Sequence, residues 1–203
     1  MSQSNSERHP ILLGSSNQGK LREYREILAG LDLGLVSPND LDPVPPEPAE
    51  DAPTFAENAS AKARGYAAAS GLQTIADDSG LEVNALRGAP GVRSRRFFGE
   101  DARADERNAK LLALLDGVED RSARFVCVTA LASPDGHVEL FEGEVHGEIA
   151  ESPRGHAGFG YDPVFVIAGD GRTMAELSSE EKHRISHRGL AGAKLRARLA
   201  AGA

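Results

Sequence analysis

Apolar positions in this 203-residue chain recur with two periods, and each change of period marks an element. Ile11 to Leu13 form a short apolar run between Pro10 and Gly14, which predicts a buried first strand. Gly19 then opens a helix in which Leu21, Tyr24, Ile27 and Leu28 recur at helical spacing. Leu31 to Ser37 read as a second strand. "PNDLDPVPPEPAEDAP" excludes an interior helix or central strand, since proline lacks a donor and fixes φ. It reads equally as a disordered acidic loop or a functional one. "TFAENASAKARGYAAAS" is a helix with a T-x-x-E capping box from Thr54 to Glu57 and a stop at Gly71. Phe55, Ala59, Ala63 and Tyr66 make its buried stripe.

"QTIADDSGLEVNAL" predicts two strands or a kinked one, interrupted at Asp78, Ser79 and Gly80. A glycine-rich loop, "GAPGVRSRRFFGED", leads to the helix "DARADERNAKLLALLDG", ended by Gly117. Ala123 to Ala132, the turn "SPDG" and "HVELFEGEVHGEIA" form a β-hairpin. "SPRGHAGFGYDPVFVIAG" is a loop feeding an apolar strand, and the chain closes with a short helix, a break at Ser186 and a final helix. Strands alternating with helices, plus one long hairpin, predict an α/β domain with a mixed sheet. Residues 1–10 are polar and read as a disordered tail, leaving a single domain over 11–203.

Composition narrows the functions. The net charge of -8, from 23 basic and 31 acidic residues, argues against a nucleic-acid coat but permits a small anion in a local basic pocket. No apolar run reaches the ~18 residues of a membrane span. The single cysteine, Cys127, forbids an intramolecular disulfide, fits a cytoplasmic protein, and in "RFVCVTALA" reads as a buried small apolar residue.

Five groups of residues carry candidate chemistry. Gly14, Gly19 and Lys20 have the spacing of a phosphate-binding P-loop, but Leu21 stands where that loop needs a hydroxyl for Mg²⁺. Ser15, Ser16, Asn17, Gly19 and Lys20 still lie between strand and helix, where amides and the dipole attract an anion. Lys20 in the first turn opposes that dipole, and a nearby anion would account for it. Asp77 and Asp78 repel one another unless a cation or proton intervenes, so they fit either a Mg²⁺ site or an Asx-type turn. Asn58 and Lys62, four apart, read by spacing as a solvated helix face. Ser186 caps the last helix, so His187 and Arg188 are cations in a first turn, with Lys182 and Arg184 just before them. In "GFGYDPVF", Phe159 offers an aromatic face to a base or a core residue to the interior, and Pro163 holds Asp162 extended.

The order of these blocks says more than any one of them. "SSNQGK", "TFAENASAKA", "IADDSGLEV", "GAPGVRSRRF", "GFGYDPVF" and "SHRG" together closely resemble the noncanonical purine nucleoside triphosphate pyrophosphatases, the dITP/XTP or inosine triphosphate pyrophosphatases. The resemblance runs from Ile11 to the last helix. It implies an elongated mixed β-sheet with helices forming two lobes around a central cleft, Mg²⁺ dependence, a homodimer and a cytoplasmic house-cleaning role.

The resemblance also assigns residues. It implies that Ser15, Ser16, Asn17, Gln18, Gly19 and Lys20 contact the triphosphate and that Lys62 is a second phosphate lysine, against the solvated-face reading. Asp78 is implied as proton acceptor and metal ligand, with Asp77 beside it and Ser79 near the substrate. Phe159, Gly160, Tyr161, Asp162, Lys182, His187 and Arg188 match the nucleotide-binding set. A further metal carboxylate comes from the acidic loop, best matched by Glu50, with Glu47 and Asp51 open.

The chemistry that follows is hydrolysis between the α and β phosphates, releasing pyrophosphate and a nucleoside monophosphate. Arg188 or His187 would donate to the 6-keto oxygen and N7 of ITP, dITP or XTP. Three other readings compete. A Maf-like pyrophosphatase would carry S-P-R-R in the early motif; a P-loop NTPase would need a hydroxyl at Leu21; a nucleotide sensor would not need Asp77 and Asp78.

Overall fold

β3 (Gln73–Val83) is an unbroken strand, and the rest of the fold is arranged on its two faces. The computed structural model describes residues 10–202. Of the expected tail only Pro10 falls within them, and it begins β1 (Pro10–Leu13); the remainder lies outside the described residues. The interruption expected at Asp78, Ser79 and Gly80 is absent. Ten consecutive pairs, Thr74↔Ala132 through Val83↔Ala123, join β3 antiparallel to β4 (Ser122–Ala132), and a continuous ladder leaves no room for a kink. Gly80 sits in that ladder because a Cβ there would lie 2.3 Å from the Gly91 carbonyl oxygen.

β4 continues through the predicted hairpin into β5 (Val138–Ile149), and β6 (Phe165–Ile167) adds antiparallel to its far edge. On the other side of β3, β1 pairs parallel with β3 and with β2 (Gly34–Val36). The six strands thus form one mixed sheet in the order β2-β1-β3-β4-β5-β6. β2 is shorter than Leu31 to Ser37, because Leu31 and Leu33 pack against the core outside the ladder.

Five α-helices cover this sheet among the described residues. α1 (Gln18–Ile27) and α5 (His187–Ala201) pack on one face, where Leu21, Tyr24 and Leu195 meet Ile11, Ile75 and Leu131. α2 (Phe55–Ser70) covers the other face with Ala59, Ala63 and Ala67 against Ala76, Ala130 and Ala132. Small residues on both sides let that helix lie close to the strands. Thr54 accepts the Glu57 amide at 3.2 Å, and its hydroxyl donates to the Glu57 carboxylate at 2.8 Å. Only half of the predicted box forms, because the Glu57 carboxylate meets the Thr54 hydroxyl and not the Thr54 backbone amide. α3 (Ala104–Leu114) closes a third apolar cluster, in which Leu111 joins Leu81, Phe125, Tyr161 and Phe165. α4 (Ser179–Ile185) ends at Ser186, which is extended and also caps α5 by accepting the Gly189 amide. No helix is long and apolar enough to cross a membrane among the described residues.

The start of α5 lies against β5 at one glycine. A Cβ on Gly143 would stand 2.2 Å from the His187 carbonyl oxygen and 2.6 Å from the Ala191 nitrogen, both backbone atoms. Gly143→Ala should therefore lift the first turn of α5 and cost about 1–3 kcal/mol, the usual penalty of overpacking. Urea unfolding measures it, and a midpoint equal to the wild type would refute this contact.

Candidate active site

β1 stops at Leu13, and Gly14 donates its amide to the Ile75 carbonyl at 2.7 Å, but β3 runs on to Val83. Beyond Ile75 the backbone of β3 therefore lacks a neighbouring strand on that side. Side chains and a loop fill the notch instead. Lys20 and Lys62 both donate to the Asp77 carbonyl at 3.3 Å, and Ser94 accepts the Leu81 amide at 2.8 Å. This end of a parallel strand, where the strand order turns, is where α/β sheets bind ligands.

The turn from β1 to α1 is ordered by its own side chains. Asn17 Oδ1 accepts the amides of Gly19 at 2.9 Å and Lys20 at 3.3 Å, and Ser15 Oγ accepts the Asn17 amide at 3.2 Å. Two of the amides expected to face an anion are thus taken by the cap. Gly19 instead makes room for an aromatic ring. A Cβ on it would lie 2.7 Å from the Phe159 ring, so the ring rests on the helix backbone.

Because strand side chains alternate, the two adjacent aspartates leave β3 on opposite faces. Asp77 points toward α1 and α5, where it pairs with Arg188 at 3.0 Å and Lys20 at 3.2 Å. Asp78 points toward α2 and accepts Asn58 Nδ2 at 2.9 Å. The repulsion expected from sequence persists in weakened form, since, after burial, Asp77 still raises the Asp78 carboxyl, but Lys20 and Arg188 offset the Asp77 charge, and the continuous ladder excludes the turn reading. Asp77 does not line the cleft. It joins a buried chain of charge, in which Arg188 also reaches Glu23 at 2.7 Å, Glu23 meets Lys182 at 2.7 Å, and Lys182 meets Asp162 at 2.6 Å. Asp162 also accepts the Phe159 amide at 2.7 Å, which anchors the "GFGYDPVF" loop, and it begins a 3-10 turn over Asp162–Val164 instead of standing extended.

One cleft gathers most of the predicted residues: Ser15, Ser16, Asn17 and Lys20 from the turn, Lys62 from α2, Asp78 and Ser79 from β3, Phe159 to Asp162 from the loop, and Lys182, His187 and Arg188. Gln18 and Gly19 do not line it. Asn58 and Lys62 are buried, so the solvated-face reading fails; α2 turns this pair toward β3. Asn58 also exchanges hydrogen bonds with the backbone of Ala52, at 2.9 and 3.2 Å, tying the acidic loop to Asp78. Glu47 and Glu50 reach the cleft from that loop, Glu50 in contact with Lys62, whereas the Asp51 side chain is 86% exposed and stands near Arg96.

Cation placement is only partly free for a ligand. Arg188 donates to Asp77, Glu23 and Ser79 Oγ, which occupies most of its five N–H groups. The Phe159 ring lies 5.0 Å from Lys182 Nζ and 5.5 Å from the Arg188 guanidinium. His187 is stacked on Phe125 with ring centroids 4.6 Å apart, and its Nδ1 is buried without a hydrogen-bond partner among the described residues. Burial, then the adjacent Arg188 charge, push its imidazole well below the usual range, so it is neutral near pH 7. Burial raises the Asp78 carboxyl, against the opposing pull of Lys20 and Asn58. Burial and the nearby Lys20 pull the Lys62 ammonium down to about 8, against the opposing pull of the Asp77, Asp78 and Glu47 carboxylates.

Sequence reasoning missed Glu23, Ser94 and Arg107. Glu23 stands three residues after Lys20 on the same helix face, the one signal that pointed to it. Ser94 and Arg107 belong to segments whose direction no local pattern reveals, although both line the cleft.

The model of the Ham1 family matches residues 11–198. A dITP/XTP pyrophosphatase of Geobacter sulfurreducens is 50% identical over 191 residues, covering 93% of this chain and 96% of that protein. Another of the same name, from Symbiobacterium thermophilum, is 50% identical over 194 residues, 94% of this chain and 95% of its own. Among solved structures, a HAM1 protein of Coxiella burnetii superposes with a TM-score of 0.86 at 42% identity, covering 95% of this chain and 98% of its own. Sequence and architecture agree across nearly the whole length, and the chain belongs to the Ham1 family.

Proposed function

We propose that this protein hydrolyses noncanonical purine nucleoside triphosphates such as dITP, ITP and XTP to the monophosphate and pyrophosphate. The observation that carries the reading is a single cleft with lysines and a capped helix start beside Asp78, and a neutral stacked His187 on its wall. Relatives half identical over nearly the whole chain, named dITP/XTP pyrophosphatase, support it.

In this reading Lys20 and Lys62 take the phosphates, aided by Ser15 and Ser16, and Asn17 holds the turn in shape. Asp78 accepts a proton from water, whose oxygen bonds to the α-phosphorus as the bond to the bridging oxygen breaks and pyrophosphate leaves. Its raised affinity for protons makes it a stronger base than an exposed aspartate. Asn58 fixes the orientation of that carboxylate. Phe159 shields the buried cations, and Asp162 with Lys182 fixes its loop. Near His187 the base would find a neutral imidazole able to hydrogen-bond its 6-keto and N7 edge.

Asp78, Glu50 and Glu47 line the cleft with oxygen donors, the kind Mg²⁺ takes, but no three such residues among the described ones are grouped closely enough to hold a metal alone, so one or two of them with substrate phosphates would have to complete the site. Bound there, the metal would neutralise phosphate charge. Asp77 is left out of that set, because Arg188 and Lys20 already hold its carboxylate. Mg²⁺ itself, a homodimer and a cytoplasmic location complete the proposal, each resting on the family resemblance.

Incubation with Mg²⁺ and a nucleotide panel should give monophosphate plus pyrophosphate from ITP and XTP, and diphosphate plus orthophosphate would sink the reading. Asp78→Asn should lower kcat by about 10²–10⁴-fold, the range for a lost general base, with unchanged melting temperature. Activity near the wild type would remove Asp78 from that role. By NMR, His187 should remain neutral from pH 8 down through about 6.5, the usual midpoint of histidine. Because the unfolded chain binds this proton first, His187 lowers stability as pH falls below about 6.5. An imidazole titrating at its ordinary midpoint in the folded protein would contradict its neutrality.

A further inference from the structure

The proposed chemistry leaves guanine unexplained, since GTP shares the 6-keto group of ITP and XTP. Arg188 offers little help, with its N–H groups committed to Asp77, Glu23 and Ser79. Three further arginines line the same cleft: Arg95 is exposed, Arg96 is held by the Glu50 carbonyl and stands near Asp51, and Arg107 is the third. Arg107 enters from α3, the helix that closes the apolar cluster containing Phe125 and Tyr161. That cluster is separate from the one beneath the β1–α1 turn, to which Leu21, Tyr24 and Ile75 belong. Arg107 lies one helical turn before Leu111, on the side of α3 that meets the Phe125 and Tyr161 cluster, so it enters the cleft beside those rings.

Its geometry is fixed by neighbours, yet part of it is uncommitted. Nη1 donates to the Ala102 carbonyl, closing the loop before α3. The next residue, Asn108, donates to the Gly160 carbonyl at 3.1 Å, which ties this turn of α3 to the Phe159–Asp162 wall. Nε is buried and meets no acceptor among the described residues. Nη2 likewise makes no hydrogen bond among the described residues, and a guanidinium with a donor left over gains from an acceptor supplied by a ligand in the cleft it lines.

Resting on the pyrophosphatase reading, we infer that Arg107 reads the 2-position of the purine ring and so sets which base is admitted. His187 comes from α5 and Arg107 from α3, so the two meet the base from separate elements. With the 6-keto and N7 edge assigned to His187, the remaining polar edge is position 2. A guanidinium is always charged and only donates. It bonds the 2-keto oxygen of xanthine, tolerates the hydrogen of hypoxanthine, and sets donor against donor at the 2-amino group of guanine. Binding and exclusion come from the same N–H groups.

The test compares kcat/KM for XTP, ITP and GTP in wild type, Arg107→Met and Arg107→Lys, with folding followed by thermal melting. For Arg107→Met, XTP should fall and GTP rise, each at least ~10-fold relative to ITP, the scale of a lost polar contact. Arg107→Lys keeps a charged donor and the means to hold Ala102, so it should retain the order of preference, and it decides the matter if the methionine variant does not fold. Equal losses on all three substrates would overturn the assignment in favour of a phosphate or purely structural contact, and unchanged ratios would overturn it outright. Wild-type protein releasing no pyrophosphate from any of the three would instead refute the underlying function.

Discussion

The buried carboxylate of Asp77 is the interaction on which the rest of this structure depends. It is 1% exposed in the middle of the sheet, and burial alone would push its proton affinity up. Lys20, Arg188 and Lys62 reverse that, leaving the carboxyl well below the usual range. Through Arg188 the charge passes to Glu23, whose carboxyl is lowered to about 2 by Arg188 and Lys182 against its own burial, and then to Asp162. Five side chains from β3, α5, α1, α4 and the loop before β6 are thereby held in one arrangement. Such pairs are poor sources of net stability, but removing one partner strands the others at a cost of about 3–5 kcal/mol. Their work is to fix where the helices start.

This arrangement changes the meaning of the cations at those helix starts. A lysine or arginine in a first turn faces the positive end of the dipole and needs a compensating anion. Read from the sequence, that anion is a ligand. In the fold, Asp77 compensates Lys20 and Arg188, and Glu23 shares Arg188. A bound triphosphate then adds to an electrostatic balance the protein already holds. Lys62, paired with Glu50 from the acidic loop, follows the same pattern. Substrate and metal would each draw on a partner of that pair.

Much of this was legible in the sequence where local physics decides. Helical spacing in α1, the threonine cap of α2, the hairpin and the double role of Ser186 depend on neighbours a few residues away, and all are present. Cys127 is buried as its apolar run implied. What was not legible depends on facing. Asn58 and Lys62 share one side of α2, but spacing does not say whether that side meets water or β3. Asp78 and Gly80 read as a break because their residue types favour turns, and the long pairing with β4 overrides that preference. Glu23, Ser94 and Arg107 come to the cleft region from three segments, and only tertiary packing unites them.

Asp77 and Asp78 face opposite ways, and this decides how the proposed base is specified. Side-chain identity is the same at the two positions, so nothing in their chemistry distinguishes them. The distinction is positional and resides in the pairing of β3 with β4, which acts as a reading frame. A shift by a single residue would hand the cleft Asp77 and bury Asp78 among cations. The hairpin that contributes little to the cleft wall therefore carries the information that decides which of two identical carboxylates faces the cleft.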